Sequence, residues 1–91
     1  MTPLERSDRA KELLENPVFK ESYASVHAEL ITALETSGIN DHEMQHETVL
    51  MLQLLKRLKT KLERYVDEGK VEQKKLADLN YRDKIRQVWK G

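Results

Sequence analysis

Cysteine is absent from this sequence, and glycine and proline are scarce, with three and two residues among 91. Without cysteine the chain has no disulfide, no thiolate to bind a metal and no thiol nucleophile, which fits a reducing compartment. It also lacks the alternating runs of valine, isoleucine and threonine that indicate β-strands. We therefore expect an all-α protein whose fold depends on helix packing alone.

Long apolar runs are missing as well. No window approaches the roughly 18 apolar residues of a membrane span, and the opening stretch MTPLERSDRAKELLENP is charged rather than signal-like. The sequence therefore predicts a soluble protein without a membrane partner, located in the cytoplasm of the cell that makes it.

A net charge of one sign is the third absence, since 16 basic residues balance 16 acidic ones. A simple electrostatic nucleic-acid binder usually has a clear basic excess, so that class is not favoured. The charge is nevertheless uneven along the chain. Residues 1–40 have four basic and seven acidic residues, whereas residues 69–91 have seven basic and three acidic ones. Nucleic acid, the less favoured partner, would therefore be bound through the basic C-terminal segment.

Capping signals mark the first two helices. Thr2 is a good N-cap and Pro3 suits the first helical position, so a short helix is expected from there to about Glu15. Asn16 is followed by a proline, which disfavours helical backbone at the residue before it, and Asn16 is also a good N-cap. A second helix is therefore predicted over roughly residues 17–36.

The rest of the chain predicts a long third helix and a basic C-terminal one. Gly38 suits the left-handed position past the end of the second helix, and Asn40 is expected to cap the third. The third helix is predicted over about 41–68, with Gly69 as its end. The segment 70–91 is compatible with a further helix.

Apolar residues recur at heptad spacing in both long helices, which favours an antiparallel helical hairpin. The two stripes are Phe19, Tyr23, Val26, Leu30 and Ala33 in the second helix, and Met44, Met51, Leu55, Leu58, Leu62 and Tyr65 in the third. The sequence thus predicts a hairpin domain over 1–69, including the short N-terminal helix, and a basic helical segment over 70–91. Leu50 and Leu54 lie beside the third-helix stripe, in surplus of what one facing helix covers. Because this surplus apolar surface needs a cover, we expect a protein interface at these two residues and a homo-oligomer.

Residues 42–46 read HEMQH and match H-E-x-x-H, the zinc-peptidase pattern, in which two histidines on one helical face bind zinc. Here the pattern occupies the first turn of a predicted helix, where solvent is expected and Glu43 can act as a capping-box partner. The other histidine, His27, lies about ten residues before the turn. We therefore expect no catalytic zinc, no cofactor and no enzymatic activity. His42 and His46 stay weaker candidates for adventitious metal binding.

Two basic stretches have a functional and a structural interpretation. Arg57, Lys61 and Arg64 fall on one helical face and form a weaker candidate for a phosphate-backbone contact. The favoured interpretation is the solvated side of an amphipathic helix, because acidic residues are interspersed.

The C-terminal stretch KIRQVWK places a tryptophan and two aliphatic residues among basic ones. Ile85, Val88 and Trp89 are therefore candidates for docking a partner helix or groove. Equally, Trp89 is expected to fold back and cap the hairpin core. The residues alone favour neither interpretation over the other.

Three stretches resemble a known family. LLENPVFKE at residues 13–21, Met-Leu-x-Leu-Leu at 51–55 and Leu-Glu-x-Tyr-Val-x-x-Gly-Lys at 62–70 resemble small uncharacterised helical proteins encoded by tailed bacteriophages and prophages. Their genes lie near packaging and virion-structure genes. The resemblance covers roughly residues 5–70, contains no catalytic motif and does not require the histidines.

The resemblance implies a setting in the host bacterial cytoplasm, with the virion as a second location, and phage structural or packaging proteins as partners. On this basis we expect a non-enzymatic protein that acts through helix-mediated contacts in particle assembly or as a minor virion component. The alternative is a small phage-encoded binding protein that inhibits or redirects a host factor through its C-terminal segment.

Overall fold

The computed structural model describes residues 1–90, apart from the side chains of residue 85 and residues 87–90. Its three helices are α1 (Pro3–Glu15), α2 (Pro17–Thr36) and α3 (His42–Lys90), and the described residues contain no strand. The predicted all-α class is confirmed. No helix among these residues has the length and apolar character needed to cross a membrane.

The starts of α1 and α2 lie where the capping signals predict them. Thr2 Oγ1 accepts a hydrogen bond from the Glu5 N–H at 3.2 Å. Asn16 Oδ1 accepts from the Val18 and Phe19 N–H groups at 2.9 and 3.1 Å. A capping oxygen satisfies backbone donors that have no partner inside the helix, so one local side chain fixes where the helix begins.

The turn between α2 and α3 differs from the prediction in two ways. Gly38 does not adopt a left-handed conformation, since the described residues include no positive φ. Asp41, rather than Asn40, caps α3: its Oδ1 accepts from the Met44 N–H at 3.3 Å, and its carbonyl oxygen accepts from the Gln45 N–H at 3.1 Å. The reason is a tight turn in which the Asp41 N–H donates to the Gly38 carbonyl at 3.0 Å. This turn holds Asn40 outside the helix and moves the cap one residue along the chain.

The third helix does not end at Gly69. It continues through this residue for a total of 49 residues, which gives the molecule its elongated dimensions of 78 × 25 × 19 Å. The predicted end at residue 68 is therefore wrong, and the backbone has no break at the predicted boundary between 1–69 and 70–91. An interior glycine costs a helix only about 1 kcal/mol relative to alanine. Tertiary packing offsets that cost here.

That packing is the crossing of α1 over α3. Gly69 is buried beneath Ser7, whose hydroxyl donates to the Val66 carbonyl oxygen at 3.2 Å. Ser7 and Ala10, one helical turn apart on α1, are both buried. Small residues on both helices let the two backbones approach closely. The position that the sequence predicts as a helix end is therefore a site of close contact between α1 and α3.

The face of α3 that α1 and α2 cover is rotated relative to the predicted stripe. Its partly or fully buried residues recur mostly at steps of three and four: Gln45, Thr48, Leu52, Leu55, Leu62, Tyr65, Val66, Gly69 and Glu72. The prediction holds for Leu55, Leu62 and Tyr65 but is wrong for Met44, Met51 and Leu58, which are 39, 51 and 54% exposed. On α2, Val26 is likewise exposed, while the other four residues of its stripe are partly buried.

Polar side chains lie on this face beside the apolar ones. Gln45 Nε2 donates to the Gly38 carbonyl oxygen at 2.9 Å, and Thr48 Oγ1 donates to the Met44 carbonyl oxygen at 2.8 Å. Lys59 Nζ lies 5.1 Å from the centroid of the Tyr23 ring. Leu52, rather than Met51, lines the groove between α2 and α3. An apolar pattern in the sequence does not include Gln45, Thr48 or Lys59.

Candidate interaction surface

An apolar patch on α3 is left uncovered by α1 and α2. We define the α3 patch as Leu50, Met51, Leu54 and Leu58, whose exposed fractions are 49, 51, 68 and 54%. Leu50, Leu54 and Leu58 follow one another at steps of four, so they line one side of the helix over about 12 Å. Leu50 and Leu54, which the sequence predicts as an interface, are both accessible in the structure.

Charged residues of opposite sign flank the α3 patch. Glu43 and Glu47 precede it by one to two helical turns, and Arg57 and Lys61 lie at or just beyond its other end. All four side chains are exposed. The patch therefore lies between an acidic end and a basic end along the same helix.

The fold has little interior of its own. Ala10 is the single apolar residue among the described ones that is buried. A folded monomer of 10.7 kDa is expected to expose about 5,500 Å², whereas this chain exposes 7779 Å². The excess of about 2,300 Å² is larger than the roughly 800 Å² that each partner buries in an interface of standard size. Association with another chain is the ordinary way to cover such a surface.

The predicted phosphate-contact residues lie together on the outer side of α3. Arg57, Lys61 and Arg64 are exposed and border a shallow, open depression that is lined by residues of α3 alone. Lys61 Nζ lies 5.3 Å from the centroid of the Tyr65 ring. No other described helix lines this depression, so the structure brings the three residues together on one face of α3 alone. A nucleic-acid contact there stays a prediction.

The H-E-x-x-H residues lie at the start of α3 on an open surface. His42, Glu43 and His46 are all exposed. Among the described residues, no three histidine, cysteine, aspartate or glutamate side chains are grouped so that they could hold a metal ion. His27 lines a groove between α2 and α3 with Tyr23, apart from the other two histidines. The structure therefore gives His42 and His46 no third ligand and no cleft.

The double substitution His42→Ala, His46→Ala is expected to leave the helicity and the melting temperature of the protein unchanged. The physical reason is that both imidazoles are exposed and the capping oxygen of α3 belongs to Asp41. Circular dichroism at fixed protein concentration measures both quantities. Stoichiometric zinc that survives dialysis against a chelator, with peptidase activity lost in Glu43→Gln, would contradict this reading of the motif.

Arg6, which the sequence did not single out, links α1 to α3 through Tyr65 and Glu68. The Arg6 guanidinium lies 4.3 Å from the centroid of the Tyr65 ring, and its Nη2 is 2.7 Å from Glu68 Oε2. The ion pair is about half exposed, so it contributes at most about 1 kcal/mol. Its position matters more than its energy, because Arg6 covers Tyr65 and ends the open face of α3.

The predicted docking residues of the C-terminal segment, Ile85, Val88 and Trp89, lie outside the described side chains. Among the described residues of that segment, Leu76, Leu79 and Tyr81 are exposed. From residue 73 to residue 84 every side chain is exposed. This part of α3 therefore extends beyond the described contacts with α1 and α2.

Comparison with protein-family models, with curated proteins and with solved structures found no match for this chain. No family is therefore shown, and the phage relationship stays a prediction from the three stretches described above. The functional argument depends on the surface of α3 and on the charges around it.

Proposed function

We propose that this chain is a non-enzymatic, self-associating helical protein that acts through contacts of α3 in the assembly of a tailed-phage particle or as a minor virion component. Its first partner is a second copy, and its further partners are phage structural or packaging proteins. The observation that supports this most directly is the α3 patch on a chain that exposes 7779 Å². The proposed location is the host cytoplasm or the virion.

The proposal includes a helical hairpin of α2 and α3 as the unit that associates. Contacts at two levels support it. Near the turn, Gln45 Nε2 lies 3.4 Å from Ser37 Oγ, and four helical turns further along α3, Lys59 approaches the Tyr23 ring. Positions later in α3 thus meet positions earlier in α2, as antiparallel pairing requires.

Sedimentation equilibrium of the wild-type protein tests self-association. We expect a dimer or larger species at micromolar concentration, because the α3 patch leaves four neighbouring apolar side chains about half or more exposed to water. The same measurement at rising concentration gives the dissociation constant. A protein that stays monomeric at high concentration would contradict the proposal.

The assembly role has its own test. The protein should co-sediment with particles of the phage or prophage that encodes it, or co-purify with a capsid, portal or packaging protein. Absence from both, together with normal particles when the gene is deleted, would argue against a role in assembly.

A second candidate function is supported by the exposed end of α3. Leu76, Leu79 and Tyr81 stand uncovered on a helix that extends beyond the described contacts with α1 and α2. A helix with exposed apolar residues can dock into a groove of a partner protein. In this reading the chain inhibits or redirects a host factor, and it should form a stable complex with one host protein when no particles are made.

A further inference from the structure

We infer that the second copy docks on the α3 patch in an antiparallel, two-fold symmetric arrangement centred on Leu54. This inference depends on the self-association proposed above and adds the orientation and register of the partner. It follows from the apolar pattern, the flanking charges and the length of helix that is open on this face.

The three leucines of the patch are symmetric about Leu54, while Met51 falls opposite Arg57 in this register. Leu50 precedes it by four residues and Leu58 follows it by four. In an antiparallel pair, Leu54 therefore meets the Leu54 of the second copy, and Leu50 meets Leu58 on either side. A two-fold interface uses the same surface on both subunits, so a row of leucines that maps onto itself when the helix is reversed fits such an interface.

The flanking charges distinguish antiparallel from parallel pairing. Glu47 lies seven residues before Leu54 and Lys61 seven residues after it, close to two helical turns in each direction. Antiparallel pairing about Leu54 brings each Glu47 beside the Lys61 of the other copy. Parallel pairing places glutamate beside glutamate and lysine beside lysine, which electrostatics disfavours. The charges that flank the patch therefore favour the antiparallel arrangement.

The length of α3 that is exposed on this face also places the centre of the interface at Leu54. On this face the helix begins at His42, and Arg6 covers Tyr65 at the other end. The midpoint of that open length falls next to Leu54. When an antiparallel partner is centred on Leu54, the first residue of its α3 lies opposite residue 66. Because α1 already contacts α3 at that residue, the paired region covers the whole exposed length of this face.

Single cysteines test the arrangement cleanly, because the wild-type chain has none. Disulfides require Cα atoms within about 7 Å of each other. Leu54→Cys is expected to cross-link with itself under mild oxidation, since it lies on the two-fold axis. Glu47→Cys is the matched control: its two copies are about 21 Å apart along antiparallel helices and should not cross-link. A mixture of Glu47→Cys and Lys61→Cys chains should give the mixed disulfide.

Exchanging the charges gives an independent measurement that creates no new bond. Glu47→Lys alone, and Lys61→Glu alone, should each raise the dissociation constant of the dimer by about 3- to 10-fold at low salt. The double variant Glu47→Lys, Lys61→Glu should return it to near the wild-type value. Parallel pairing predicts no weakening by either single variant, because like charges then face each other in every case.

These experiments distinguish failure of the antiparallel arrangement from failure of self-association itself. A chain that sediments as a monomer overturns both. A dimer in which Glu47→Cys cross-links with itself as readily as Leu54→Cys overturns the antiparallel orientation alone. A dimer that none of these cysteines cross-links overturns the use of the α3 patch.

Discussion

Gly69→Ala is expected to separate α1 from α3 and to lower the melting temperature by about 10 °C, although alanine is the better helix former. A Cβ at this position would lie 2.0 Å from Ser7 Oγ and 2.1 Å from Ser7 Cβ. Rotating the hydroxyl away does not remove the second clash, because Cβ is fixed to the backbone of α1. Overpacking of this kind costs about 1–3 kcal/mol or more, and a helix-propensity gain of about 1 kcal/mol does not offset the upper end of that range.

The chain supplies both a control and a rescue for this substitution. Gly38→Ala places its Cβ in open space at a position without positive φ, so its melting temperature should be unchanged or slightly higher. Ser7→Gly combined with Gly69→Ala leaves the new methyl at an ordinary 3.7 Å from Ser7 Cα, and this variant should recover much of the lost stability. Thermal melts followed by circular dichroism, at one protein concentration, would measure all four proteins. A Gly69→Ala protein at least as stable as wild type would contradict the close contact of α1 with α3.

Local signals were sufficient to place the starts of α1 and α2. Thr2 and Asn16 each satisfy backbone N–H groups within three residues of themselves, so the chain nearby contains everything that determines the geometry. Gly69 shows the opposite case. Its conformational cost is local, but the Ser7 contact that offsets this cost comes from a residue 62 positions earlier. Nothing within a window around Gly69 distinguishes a helix end from a helix crossing.

The candidate surface was predictable in part for a similar reason. A surplus of leucine between residues 50 and 55 can be counted in the sequence, and Leu50 and Leu54 are accessible in the structure. The face of α3 that meets α2 also includes Gln45 and Lys59, whose partners lie on the turn and on α2. Because that face is rotated, Met51 and Leu58 join the exposed patch. The apolar stripe alone assigned them to the interior.

The inferred antiparallel dimer also determines where the exposed end of each α3 lies. From Leu54 to Arg86 the helix extends by about 48 Å, so the two ends of a dimer would project in opposite directions from the central patch. Each would present Leu76, Leu79 and Tyr81 to a partner. A dimer of this shape would be suited to bridging two copies of the same partner.

Leu50→Glu combined with Leu54→Lys is expected to give a folded protein that is monomeric. The two leucines are about half and two thirds exposed in the single chain, so only that exposed part is buried on association. Full burial of a leucine contributes about 1.5–3 kcal/mol. Because each substitution occurs in both subunits, the free energy of dimerisation should weaken by about 3.5–7 kcal/mol. A loss of that size raises the dissociation constant at least about 300-fold. Sedimentation equilibrium would detect it, while an unchanged circular dichroism spectrum would show that the helices persist.

The matched control is Leu76→Glu with Leu79→Lys, which makes the same chemical changes on the same helix at two similarly exposed leucines. These residues lie beyond the paired region, so the control protein should remain a dimer with a dissociation constant close to that of wild type. If instead the control dissociates and the Leu50, Leu54 variant does not, the association surface lies on the exposed end of α3. If both variants dissociate, the interface extends along the whole helix, and the antiparallel register centred on Leu54 is wrong because it leaves residues 76 and 79 unpaired.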